Sequence, residues 1–211
     1  MKKYLFCVSL FLFLFSFIYA QQRDSRVRDY LSPVRVVWQQ NGEQIQGANN
    51  LLLEGNGQTD FVNKNICRMI STEHDRPAIL LDFGKELQGG LQIVTGMCAS
   101  HKPIHVRIRF GESVSESMCE IDGINGATND HALRDFVVTL PWAGVFEVGN
   151  TGFRFVRIDL LDESTTLHLE EVRAISVYRD LPYRGTFQCS DQLLNKIWMT
   201  GAYTVNLNMQ N

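Results

Sequence analysis

Between Val34 and Tyr178 the apolar runs are strand-length, and no helical pattern lies between them. The runs are Val34–Trp38, Ala78–Asp82, Leu91–Thr95, Ile104–Phe110, Phe136–Leu140, Val145–Val148, Arg154–Leu160 and Val172–Tyr178. Val106, Ile108 and Phe110 alternate with His105, Arg107 and Arg109, the two-residue period of a strand with one face inward. Gly89-Gly90, Pro141-Trp-Ala-Gly144 and Asn150-Thr-Gly152 read as turns between runs. Parallel strands need crossover connections, usually helices, and the chain offers none here. The expectation is therefore a mainly β chain folded as an antiparallel two-sheet sandwich.

The pattern changes once. Gly185-Thr-Phe-Gln-Cys189 opens as a strand, and Ser190 stands where a helix N-cap belongs, with Asp191 in the first turn. Leu194, Ile197, Trp198, Gly201 and Val205 then recur at helical spacing. No glycine or proline stop follows before Gln210-Asn211. The sequence thus reads as a β domain leading into a helical one, of which only the first element is present.

The first twenty residues have the form of an export signal. Lys2-Lys3 precede an uncharged, Phe-rich run from Leu5 to Ile18, and Ile18-Tyr-Ala20 suits a signal peptidase. The run falls short of the ~20 apolar residues of a membrane span. The alternative is an uncleaved anchor. The expected mature product begins at Gln21 and is periplasmic or secreted. The full chain's formal net charge of -3 is spread without a basic patch, so nucleic acid is not an expected partner, and neither is a membrane after cleavage. Cys67, Cys98, Cys119 and Cys189 remain after maturation, and four cysteines allow three pairings. A domain of this size has a core without such staples, and no Cys-x-x-Cys zinc spacing occurs.

Chemistry-bearing residues concentrate in the long polar connection from Glu112 to Arg134, which holds Glu116, Glu120, Asp122, Asp130 and His131. Clustered oxygens suit Ca²⁺ or a sugar; a solvated acidic loop is the plainer reading. His101 and His105 share a spacing that binds metal on a helix, yet Pro103 and a strand separate them here. Ser113, Ser115 and Ser117 lack a nucleophile elbow. Asp82-Phe-Gly84 lacks the companion motifs of a kinase. Trp38, Trp142, Phe146, Phe153 and Phe155 form either a sugar-stacking face or sandwich core. No catalytic, cofactor-binding or metal-binding residue is assigned, and no cofactor is expected.

Several blocks together resemble bacterial α-L-rhamnosidases. They are Leu80-Leu-Asp-Phe-Gly-Lys-Glu-Leu-Gln-Gly-Gly-Leu-Gln-Ile93, Arg107-Ile-Arg-Phe-Gly-Glu-Ser-Val-Ser-Glu116, Asn129-Asp130 with Gly152-Phe-Arg-Phe-Val-Arg-Ile158, and Tyr183 to Ile197. Phe155 stands where that family usually has tyrosine, and residues 34 to 77 are not placed by the resemblance, which leaves their role open. The resemblance implies a jelly-roll-like sandwich followed by the first helix of a truncated (α/α)₆ barrel. It also implies a rhamnose-containing glycan as partner, bound through the barrel. The family's general acid and base, which cleave terminal rhamnose with inversion, lie beyond the point matching Asn211. The expected organisation is signal peptide 1–20, leader 21–33, sandwich 34–180, and linker strand with first barrel helix 181–211. The rival reading is a free-standing carbohydrate-binding or adhesion sandwich.

Overall fold

A computed structural model describes residues 24–98, 101–120 and 134–210. The signal segment, Asp122, Asn129, Asp130 and His131 lie outside the described residues. Among the described residues nine strands run in chain order: β1 (Val27–Leu31), β2 (Arg35–Gln40), β3 (Ile45–Gln46), β4 (Cys67–Ile70), β5 (Ala78–Thr95), β6 (Ile104–Gly111), β7 (Asp135–Leu140), β8 (Gly144–Leu160) and β9 (Thr166–Tyr178). Among the described residues there are also two α-helices, α1 (Val114–Met118) after β6 and α2 (Gln192–Asn208) after β9. Every strand pairing is antiparallel. The hydrogen-bonded order is β3-β4-β9-β5-β8-β6-β7, with β1 added to β9 and β2 added to β5.

The sandwich is built by strands long enough to serve both layers. The first part of β5 lies between β2 and β8, pairing Asp82 with Phe155 and with Arg35. Its second part lies between β8 and β9, pairing Leu91 with Val148 and with Ala174. Strands that change sheet through bulges make such corners, and the β5–β8 register slips between Asp82 and Leu87 and again between Gly89 and Leu91. One apolar cluster results, drawing Met69, Leu81, Ile93, Ile108, Val156 and Leu169 from five strands.

Three sequence expectations are corrected. Gly89-Gly90 does not turn the chain, and neither does Asn150-Thr-Gly152; both lie inside continuous strands. The glycines answer close packing instead. Gly89 has φ +146°, and a Cβ there would meet the Ile175 carbonyl oxygen at 2.0 Å. Gly149, just before the second motif, has φ +93°, and a Cβ there would press on the Phe110 ring at 2.8 Å. Second, the expected loose leader contains β1, paired along its length with Ala174–Tyr178. Third, the expected linker strand at Gly185–Cys189 is absent, those residues being irregular, and the cap of α2 is Asp191 rather than Ser190. Its carboxylate accepts from the Leu193 and Leu194 amides at 2.8 and 3.4 Å. Cys189 and Asn195 then lock the approach, exchanging two 2.9 Å hydrogen bonds.

Candidate functional site

The blocks that carried the resemblance are distant in sequence and adjacent in space, because β5, β6 and β8 are neighbours. Most of their charged residues are engaged in ion pairs among the described residues, Lys85 and Glu86 excepted. Asp82 is 1% exposed and accepts from Arg154 Nε at 2.8 Å, Arg154 Nη2 at 3.0 Å, Arg35 Nε at 2.9 Å and the Gly84 amide at 2.7 Å. Burial alone would raise this carboxyl. The Arg154 hydrogen bond, the Gly84 amide and Arg35 outweigh it and hold the group below the usual carboxylate range. On β6, Arg107 binds Asp135 and Glu120, and Arg109 binds Asp159 and Glu120. On β8, Arg157 also binds Asp159, while its guanidinium lies 4.9 Å from the Trp38 ring centroid. These motif residues brace the sheet.

The long connection after β6 is less loose than its composition suggests. Ser113 caps α1 by accepting from the Glu116 amide at 3.2 Å. Ser117 is buried and donates to the Ser113 carbonyl at 2.8 Å, which commits its hydroxyl to the backbone. Glu112 and Glu116 both bind Arg134. His105 faces Asp162 at 3.0 Å, whereas His101 stacks on Trp142 at 4.9 Å, so the two imidazoles do not converge. Among the described residues no group of three His, Cys, Asp or Glu side chains could hold a metal ion. The four described cysteines are free thiols; burial pushes that of Cys67 up to about 12. Phe153 and Phe155 are core, and Phe146 and Trp142 pack against it, which removes four members of the supposed stacking face.

Two features escaped the sequence. One is Glu86, half-buried, whose Oε1 has no hydrogen-bond partner. A Cβ on Gly152 would lie 3.5 Å from the Oε1 atoms of both Glu86 and Glu112, so glycine leaves a gap between two carboxyls. Burial, then the charges of Glu112 and Glu116, push Glu86 up to about 7. Its alternating position in β5 gave no sign of this. The other feature is a groove in two parts. A cavity of about 840 Å³ lies between β1, Glu54-Gly55, Lys85 and Arg173, and one of about 390 Å³ lies between Lys85, the linker after β9 and α2. Leu31 and Lys85 line both. The tyrosines Tyr30, Tyr183 and Tyr203 could have hinted at it, yet nothing in their spacing brings them together.

Residues 57–176, more than half of the chain, match the glycosyl hydrolase family 78 α-rhamnosidase N-terminal domain. No curated protein matches. Among solved structures, a rhamnosidase from Klebsiella oxytoca with rhamnose bound superposes with a TM-score of 0.63 at 16% identity, covering 89% of this chain and 36% of that one. The family 78 rhamnosidase of Bacillus sp. GL1 gives 0.52 at 18% identity, covering 76% and 15%. A fucolectin from striped bass (Morone saxatilis) serum gives 0.44 at 17% identity, covering 74% and 47%. The chain thus spans about a third or less of the two rhamnosidases. The strand order, the three co-located motif blocks and the family match agree: this chain belongs to the glycosyl hydrolase family 78 α-rhamnosidase N-terminal domain family.

Proposed function

We propose that the chain is the amino-terminal part of an exported α-L-rhamnosidase, its sandwich bracing a helical catalytic barrel that α2 begins. The observation that carries this reading is the two-sided character of α2. Toward the sandwich it presents Tyr203, whose hydroxyl donates to the Glu86 carbonyl, and past its end Gln210 reaches the Val177 carbonyl at 3.2 Å. Away from it, Leu193, Leu194, Ile197, Met199 and Val205 are 65, 47, 58, 62 and 60% exposed. A helix with an apolar stripe is completed by another layer laid on that stripe. Neighbouring barrel helices supply it, and with them the acid and base that inverting hydrolysis holds ~6.5–9.5 Å apart.

The reading is tested by comparing the 211-residue chain with a chain extended by the residues encoded after Asn211. The extended protein is expected to release rhamnose from an aryl α-L-rhamnoside with inversion. An extension that adds no helical domain, or a folded extension without turnover, overturns the reading. Export is tested separately by intact mass: the exported product begins at Gln21, and a membrane-held product retaining Met1 counts against it.

A further inference from the structure

We infer that the groove running along β1, from Arg173 past Lys85 to Tyr203, is a non-catalytic binding cleft for an oligosaccharide chain. The two cavities share Leu31 and Lys85 as lining residues, so they adjoin at those side chains. Each is within the size range of small-ligand sites, and a chain ligand of several rings fits a pair of them joined end to end. A sugar ring offers an apolar C–H face and an edge of hydroxyls. It is matched by aromatic and aliphatic surface interrupted by charged donors and acceptors.

The groove has that mixture, and its walls are fixed in advance. Arg173 is held by Gln92 Oε1 at 3.0 Å, Glu171 at 3.2 Å and the Gly55 carbonyl at 3.3 Å. Tyr30 lies under the Arg173 guanidinium at 4.7 Å and donates to Glu147 at 3.0 Å. Walls already ordered lose little freedom on binding. Other groups are unspent. Lys85 stands on the β5 bulge with its ammonium 5.6 Å from the Tyr203 ring and makes no ion pair among the described residues. Arg179 lines the second cavity, and its Nε is buried without a hydrogen-bond partner. A buried donor of this kind costs free energy until an acceptor arrives. Tyr183, 62% exposed, also lines the second cavity.

The choice of sugar rests on the rhamnosidase reading; the groove itself does not, because the rhamnoside assay on the extended protein takes no part in this test. The 211-residue chain is titrated calorimetrically with a rhamnose-containing hexasaccharide and with L-rhamnose. The hexasaccharide is expected to bind at least about tenfold more tightly than the monosaccharide. Lys85→Ala and Tyr183→Ala are each expected to weaken it by about tenfold, and Tyr183→Phe to retain binding. Both side chains are exposed, so thermal unfolding should stay unchanged. Absence of saturation by the hexasaccharide at about 10 mM, well above the millimolar scale of weak sites, overturns the inference. Equal affinity in wild type, Lys85→Ala and Tyr183→Ala also overturns it, because binding then lies elsewhere.

Discussion

Arg154 holds Asp82 in a two-point grip, Nε on Oδ1 at 2.8 Å and Nη2 on Oδ2 at 3.0 Å. The two residues sit on neighbouring strands, 72 positions apart. A parallel pair of charge-assisted bonds fixes direction as well as distance. It ties the β5 bulge to β8 at the corner where the sheet changes layer, and Arg35 draws β2 onto the same carboxylate.

Removing that carboxylate is expected to be costly. Asp82→Asn keeps the shape but leaves two guanidiniums without their anion. Both arginines are partly hydrated, so the loss is expected at about 2 kcal/mol rather than the larger cost of stranding a fully buried charge. The pH dependence has a definite sign. Asp82 is held below its unfolded value of about 3.9, so its stabilisation is present above that pH and is lost as pH falls through the folded value. Urea unfolding of wild type and Asp82→Asn across the acid range checks this. The two curves should converge at low pH; parallel curves would show that the pair contributes no proton-linked stability.

Glu86 gives the opposite slope. Its folded value of about 7 lies above the unfolded value, so its contribution is fully present at about pH 4.3 and below and is lost as pH rises through 7. The two contributions overlap at about pH 4, where both are largely present. Glu86→Gln cannot ionise, and it is expected to exceed wild type by about 1–2 kcal/mol at pH 8, a figure reduced for solvent screening of a half-exposed group. Thermal unfolding at pH 5 and pH 8 measures it. A wild type as stable as the variant at pH 8 would falsify the raised value.

The fold class was legible because strand alternation is local: Ile104–Phe110 announces its two faces in seven residues. β1 was not, because Val27-Arg-Asp-Tyr-Leu31 is a polar strand whose partner lies nearly 150 residues away. The long strands were cut at Gly89 and Asn150 because glycine and asparagine signal turns in isolation. The reason for glycine there, a carbonyl or a phenyl ring pressed against the backbone, belongs to other strands. The candidate sites failed for the same reason. Asp82 meets Arg154 and Glu86 meets Glu112 only after β5, β6 and β8 are assembled, and one sequence contains no record of those pairings.

That account of Gly89 makes a prediction of its own. Gly89→Ala is expected to destabilise the sandwich by more than about 3 kcal/mol, since the new methyl group meets backbone rather than a side chain that can swing away. Gly185→Ala serves as the control, because nothing lies within 4 Å of a Cβ there. Denaturant midpoints of the two variants separate packing from a general glycine effect. Equal, small shifts would return Gly89 to the role of an ordinary turn residue.

Trimming the chain after Arg179 removes α2 with its apolar outer stripe. A lone helix of this length is marginal in water, and exposed apolar surface favours association. The trimmed protein loses the Tyr203–Glu86 and Gln210–Val177 bonds, each worth about 1 kcal/mol. It is expected to stay folded, to lose only a few degrees of Tm, and to remain monomeric at higher concentration. Sedimentation and a thermal scan check both points. Unfolding on trimming would make α2 part of the sandwich core.

The 211-residue chain alone is expected to be inactive on aryl rhamnosides. Glu86 and Glu112 form a close carboxyl pair in the described β-domain, with Oε1 atoms that flank Gly152. A raised Glu86 beside a second carboxylate has the outward form of an acid–base pair. Three observations argue against it. Glu112 is bound to Arg134, Glu86 Oε1 is buried, and neither residue lines the groove where a sugar would lie. Rhamnose release should therefore be at background from pH 4 to 9, a range about 2 to 3 units either side of the Glu86 value. Turnover that disappears in both Glu86→Gln and Glu112→Ala would move the active site into the β-domain and reverse the division of labour argued for the barrel.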